Sequence, residues 1–173
     1  MGRKKLFANT DLVEMFPHYS YEHIWEQENF KKFYTTFFVS VFDHWLTEDE
    51  VCEQVMSAVD VRGQSKRNNP NWEIYQEYEN RFAGFYEALY KKGVHVLCEG
   101  KHLLKLKFHK EYQRYYLYDI REENEFHDYI VPSLGVMVSG NFDLTHVVHA
   151  NPQYFQKDEF EDIVKRAGLH ILT

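Results

Sequence analysis

Lys91-Lys92-Gly93-Val94-His95-Val96-Leu97-Cys98 is where the apolar spacing of the chain changes. Before it, Trp72, Tyr75, Tyr78, Phe82, Phe85, Tyr86 and Leu89 recur at steps of three and four, the spacing of one face of a long helix. Lys91 and Lys92 suit the negative C-terminal end of a helix dipole, and Gly93 suits the position just beyond it. After Gly93 the period is two. Val94, Val96 and Cys98 alternate with His95, Leu97 and Glu99, and Gly100-Lys101 offers a turn. Leu104, Leu106 and Phe108 then alternate with Lys105, Lys107 and His109, which predicts a β-hairpin.

Working upstream, Arg62 to Asn71 is a polar loop of Gly, Ser, Asn and Pro. Thr47-Glu48-Asp49-Glu50 has the capping-box arrangement, a hydroxyl at N-cap and Glu at N3, and opens a helix bearing Val51, Val55 and Val59. Phe30, Phe33, Phe37, Phe38, Val41, Phe42 and Trp45 read as a broad apolar stripe on another helix. Shorter helical pieces are expected at Asp11 to Phe16 and after Ser20, through Tyr21, Ile24 and Trp25.

Downstream, Arg114 to Ile120 reads as a third strand and Arg121 to Asp128 as an acidic loop. A fourth strand spans Tyr129 to Ser139, broken near Pro132-Ser133, and Gly140-Asn141 turns it into Leu144 to Ala150. Asp158 to Ala167 is helical, Gly168 stops it, and Leu169 to Leu172 adds a short strand. The expected fold is therefore α+β. A helical N-terminal half, about residues 11–92, packs on one face of an antiparallel sheet of about five strands, about residues 94–172, with a C-terminal helix. The two aromatic stripes each need a large surface to cover, which argues for one domain.

The 173 residues are 44% apolar and 27% charged, ordinary globular usage, and include 14 Phe, 13 Tyr and 3 Trp. A chain of this size buries about 70% of its unfolded surface, so neither metal nor disulfide is required for stability. The net charge of −7 opposes binding to nucleic acid and to anionic membranes. Cys52 and Cys98 stand far apart in apolar stretches, which fits a reducing compartment. Thr10, Asp11 and Glu14 interrupt any secretory h-region, and the longest apolar stretch, Phe33 to Leu46, is too polar to span a bilayer. The expectation is a cytoplasmic protein with no membrane partner.

Charge is unevenly placed. From Lys91 to Arg114 there are seven bases and two acids; Lys101, Lys105, Lys107, Lys110 and Arg114 form a candidate nucleic-acid or phosphate patch, with the following tyrosines as stacking partners. The competing explanation is an exposed hairpin whose lysines protect an edge strand. Asp43 to Asp60 holds six acids and no Lys or Arg, and Asp119 to Asp128 holds five acids and one Arg. Glu122, Glu123 and Glu125 are the candidate acidic contacts for a basic protein partner, with Tyr115 and Tyr116, and also Tyr112 and Tyr129, as anchors. A solvated helix face and loop explain the same acids without a partner.

Catalytic signatures are missing. His146 and His149 fall on opposite strand faces, no HExxH occurs, and His44 and Glu48 straddle a helix break, so no metal is expected. Ser133 and Ser139 lack the GxSxG frame; a Ser139–His146–Asp143 trio, or a hydrolase centre on Asp143, His146 and His149, is the enzymatic alternative. No glycine-rich phosphate loop appears, and no cofactor is expected. In general character the chain resembles small accessory proteins that act by binding another protein, such as immunity or antitoxin partners and inhibitors. That likeness is one of character, and no motif carries it. It implies a noncatalytic protein-binding module, with nucleic-acid or phosphorylated-ligand binding through the hairpin as the alternative.

Overall fold

The computed structural model describes residues 15–16, 31–55, 61, 71–98, 102–104, 106, 108–121, 126–140 and 144–173. In chain order the elements are β1 (Thr35–Ser40), α1 (Glu48–Gln54), α2 (Trp72–Lys91), β2 (His95–Cys98), β3 (His102–Leu104), α3 (His109–Ile120), β4 (Asp128–Val131), a 3-10 turn (Pro132–Leu134), β5 (Val136–Ser139), β6 (Thr145–Ala150), α4 (Lys157–Arg166) and β7 (His170–Leu172). The fold is α+β, and its antiparallel sheet runs β3-β2-β4-β5-β6-β1-β7.

The change of period at Gly93 is realised as read. Helix α2 ends at Lys91, the glycine takes a left-handed φ of 87°, and β2 follows. Strands β2 and β3 form the hairpin, with Val96 opposite Leu104 and Cys98 opposite His102. The break near Pro132 is also present. The 3-10 turn there ends at Gly135, with a φ of 65° and the Tyr154 backbone so close that an added Cβ would lie 2.5 Å from its carbonyl carbon. Only glycine fits such a corner.

Two stretches differ from the expectation, one on each side of Gly93. The first is Thr35–Ser40, read as part of a helical stripe, which is a strand. Phe37 and Val39 face the helices, while Thr36 and Phe38 face away. The second face of β1 is half-covered at Thr36 and Phe38, so Phe37, Phe38 and Val39 follow one another without the polar alternation of a half-exposed strand, and the apolar run imitates a helix. The second is Arg114 to Ile120, read as a strand, which belongs to α3. Tyr112, Tyr116 and Ile120, four apart, supply its buried face. Its tyrosines carry a β-like composition that packing overrides. Among the described residues the sheet thus has seven strands instead of about five: the expected strand at 114–120 is lost to α3, the fourth expected strand divides into β4 and β5, and β1 and the short β7 join.

The expected helical pieces at 11–14 and around 20–25, Val59 and most of the loop 62–71 lie outside the described residues. The sheet is also buried on two faces rather than one. Helices α2, α3 and α4 cover the side carrying Val39, Val96, Tyr129, Val138 and Val148, with Phe82, Phe85 and Phe160 between the layers. Each such ring contributes about 1.5–3 kcal/mol by leaving water. On the other side Leu97, Ile130 and Met137 meet Phe16 and Tyr34.

A candidate partner-binding surface

The surface is built where β1 leaves the sheet. Ser40 Oγ accepts from the Phe42 N–H at 3.2 Å and donates to the Leu144 carbonyl at 3.3 Å, which fixes the exit of the chain. Asp43, His44 and Trp45 then stand in solvent. Thr47 caps α1 with both halves of the capping box: the Glu50 N–H donates to Thr47 Oγ1 at 3.3 Å, and the Thr47 N–H donates to Glu50 Oε2 at 2.8 Å. No residue of α1 is buried; Leu46 and Val55, which flank it, touch the core. The helix therefore presents Glu48, Asp49 and Glu53 outward.

His44 joins the two parts of this segment. Its Nδ1 lies 2.7 Å from Asp43 and its Nε2 lies 3.3 Å from Glu50. Both carboxylates can only accept, so satisfying them needs a protonated ring donating from both nitrogens. Hydrogen bonds to Asp43 and then to Glu50 accordingly hold His44 above its ordinary pKa. Trp45 is 51% exposed. Its ring stands edge-on to Phe38 with centroids 4.8 Å apart, and its Nε1–H donates to the Thr173 carbonyl at 3.2 Å. Its spacing alone groups Trp45 with the apolar stripe that begins at Phe30. Its place in the longest acid run without a base is the signal that separates it from the other aromatics.

The tyrosine anchors do not lie at this surface. Tyr112, Tyr116 and Tyr129 are buried, so Tyr116 is corrected from a contact residue to a core residue. Each hydroxyl is used inside: Tyr112 donates to the Tyr86 carbonyl at 3.0 Å, Tyr116 to Glu87 at 2.7 Å, and Tyr129 to Asp119. Burial works against the Glu87 charge, but hydrogen bonds from Tyr116, His109 and Gln113 outweigh it and leave the carboxyl below its usual range. Tyr115 is half-buried, with its ring edge-on to His127 at 4.8 Å. His127 in turn lies 2.7 Å from the buried Asp119, whose carboxyl burial holds above the usual range despite these hydrogen bonds. Glu122, Glu123 and Glu125 lie outside the described residues.

Of the basic candidates, Lys110 and Arg114 are exposed one turn apart on α3. Lys101, Lys105 and Lys107 lie outside the described residues; β3 extends only to Leu104, and Phe108 is already the N-cap of α3. The expected strand face shared by the lysines is thus shortened.

The hydrolase candidates do not converge. His146 faces the helices, stacks on Phe82 at 4.1 Å and shares a 2.6 Å hydrogen bond with Tyr86. His149 faces the opposite side and lies 3.0 Å from Thr36 Oγ1. Burial pushes His146 down to about 3 and His149 down to about 4. Ser139 is buried and donates to Asp128 at 2.5 Å; Asp143 lies outside the described residues. No group of three or more His, Cys, Asp or Glu among the described residues could hold a metal ion, and no helix among them is long and apolar enough to cross a membrane. Comparison with protein families, with curated proteins and with solved structures finds no match.

Proposed function

We propose that this chain is a noncatalytic protein-binding module of the cytoplasm, of the general kind of an immunity, antitoxin or inhibitor protein. Its acidic segment Asp43 to Glu53 meets a basic surface of the partner, and Glu122, Glu123, Glu125 and Tyr115 are the further contacts the sequence offers. The observation that carries this reading is Trp45. A half-exposed indole set among Asp43, Glu48, Asp49 and Glu53, with no lysine or arginine in the segment, has the makings of an interface anchor with an electrostatic rim. A cytoplasmic address is supported by Cys52, which is free and exposed.

The test is a charge-matched comparison. Asp43→Lys, Glu48→Lys and Asp49→Lys together should abolish capture of salt-eluted partners, and Trp45→Ala should weaken it at least tenfold. Asp158→Lys, Glu161→Lys and Asp162→Lys on α4 change the net charge equally and should leave capture intact. Equal loss from both sets would reject the surface.

Lys110 and Arg114 share an exposed face of α3 next to Phe108, which is 70% exposed. This favours a second reading, nucleic-acid or phosphorylated-ligand binding together with Lys101, Lys105 and Lys107. Labelled RNA or DNA that fails to shift at low salt would dispose of it. The hydrolase reading has no comparable support, because its histidines are buried on opposite faces of the sheet.

A further inference from the structure

We infer that the outer edge of β7 is where the partner attaches, by adding an extended, lysine- or arginine-bearing segment to the sheet; this rests on the acidic-surface reading and specifies its mode. β7 ends the strand order, and β1 is its one neighbour among the described residues, with Val39 opposite Ile171 and Phe38 opposite Leu172. An edge strand leaves a row of backbone N–H and C=O groups pointing outward, and an extended peptide satisfies them by continuing the ladder. Of the devices by which natural sheets protect such edges, β7 has shortness, with three residues, but neither a lysine nor a proline.

The surroundings select the occupant. Trp45, half-exposed, reaches the end of this strand through its hydrogen bond to Thr173 and stands edge-on to Phe38, the residue opposite Leu172. Asp43 lies three residues beyond Ser40, the β1 residue opposite His170 at the start of β7, and pairs with His44 at 2.7 Å. Asp43 precedes Trp45 by two residues, and Glu48 and Asp49 open the helix that follows it, so the segment tied to the end of β7 by the indole carries acids that complement cationic side chains. They disfavour a second copy of the chain at the same place, because pairing β7 with β7 would bring two acidic segments together. With three residues the ladder supplies few hydrogen bonds, so affinity depends on the charges and the indole as well.

The experiment uses the full chain and the synthetic peptide Lys-Val-Lys-Val-Lys-Val-Lys. Three controls accompany it: its Glu-for-Lys counterpart, the lysine peptide with every internal amide N-methylated, and the protein variant carrying Asp43→Lys, Glu48→Lys and Asp49→Lys. The lysine peptide is expected to bind and to slow amide exchange at residues 170–173 at least tenfold. N-methylation, which keeps the charge but removes the donors, should weaken binding at least tenfold, and the glutamate peptide should not bind. If the N-methylated peptide binds as well and exchange at 170–173 is unchanged, while the charge-reversed protein loses binding, strand addition is overturned and the acidic surface stands. If the charge-reversed protein binds as tightly as the parent, both readings fall. A lysine peptide that does not bind overturns strand addition. Concentration-dependent dimerisation protecting the same amides would assign the edge to a second copy and overturn the basic partner.

Discussion

The region between α2, α3 and β4 and the segment from Asp43 to Glu53 both set aromatic and acidic residues together, many rings in the first and the single Trp45 in the second, yet they are put together in opposite ways. In the first, Tyr86 lies parallel to Tyr116 at 5.4 Å and 4.6 Å from Tyr129, and buried or half-buried acids accept the tyrosine hydroxyls. In the second, the acids bond to a histidine and a helix cap at the surface, and the indole remains half outside. The difference lies in what the polar atoms can reach. A tyrosine whose hydroxyl finds an internal acceptor can be buried whole, whereas acids with no partner inside stay in water and keep their neighbours there.

Acid should weaken the buried interior, at His146 beside the first region and at His149 on the opposite face of the sheet, and spare the second. His146 and His149 have folded values of about 3 and about 4, below the unfolded 6.5, so the unfolded chain binds their protons first. The stability they hold is complete above about pH 6.5 and is lost as pH falls toward 4, with a slope approaching 1.4 kcal/mol per pH unit for each histidine. Asp119, raised by burial, has the opposite sign and offsets part of this. Urea unfolding followed between pH 7 and 4 should show the decline, and His146→Gln should flatten it.

Next in size is Tyr86→Ala, which removes the ring at the centre of the cluster and should cost about 3–5 kcal/mol. Tyr86→Phe keeps the ring but strips the buried His146 nitrogen of its partner, for about 1–3 kcal/mol. Chemical denaturation separates the two. If both cost the same, the cluster is held by its hydrogen bond and not by its rings. The smallest effect sharpens the contrast from the other side. Thr47→Ala removes the capping box of the exposed α1 and should cost about 1 kcal/mol by the same measurement.

The elements legible in the sequence are those whose signals are local. Gly93, the Thr47–Glu50 box and Pro132 each mark a backbone event that neighbouring residues cannot disguise, and the structure has all three. β1 and α3 were illegible for one reason: their side-chain pattern reflects what covers them. β1 lies between β6 and β7 under helices, and Phe38 on its second face adjoins Phe37 and Val39 on the first, which hides the period of two. α3 looks like a strand because tyrosine, common in sheets, is here the filler between two helices. At the candidate surface the acid run was visible, but the exposure of Trp45 and the burial of Tyr116 depend on contacts between segments distant in sequence. Which strand stands at the edge of the sheet is likewise a property of topology, and spacing carries no trace of it.

The position of β1 has a further consequence. Thr35–Ser40 takes its two neighbours, Thr145–Ala150 and His170–Leu172, from much later in the chain. While the protein is being made, Phe37 and Phe38 emerge from the ribosome long before either partner exists, and no local hairpin can shelter them in the meantime. The nascent chain must hold that greasy segment unassembled until translation has passed residue 172, a delay in which a chaperone is more useful than speed.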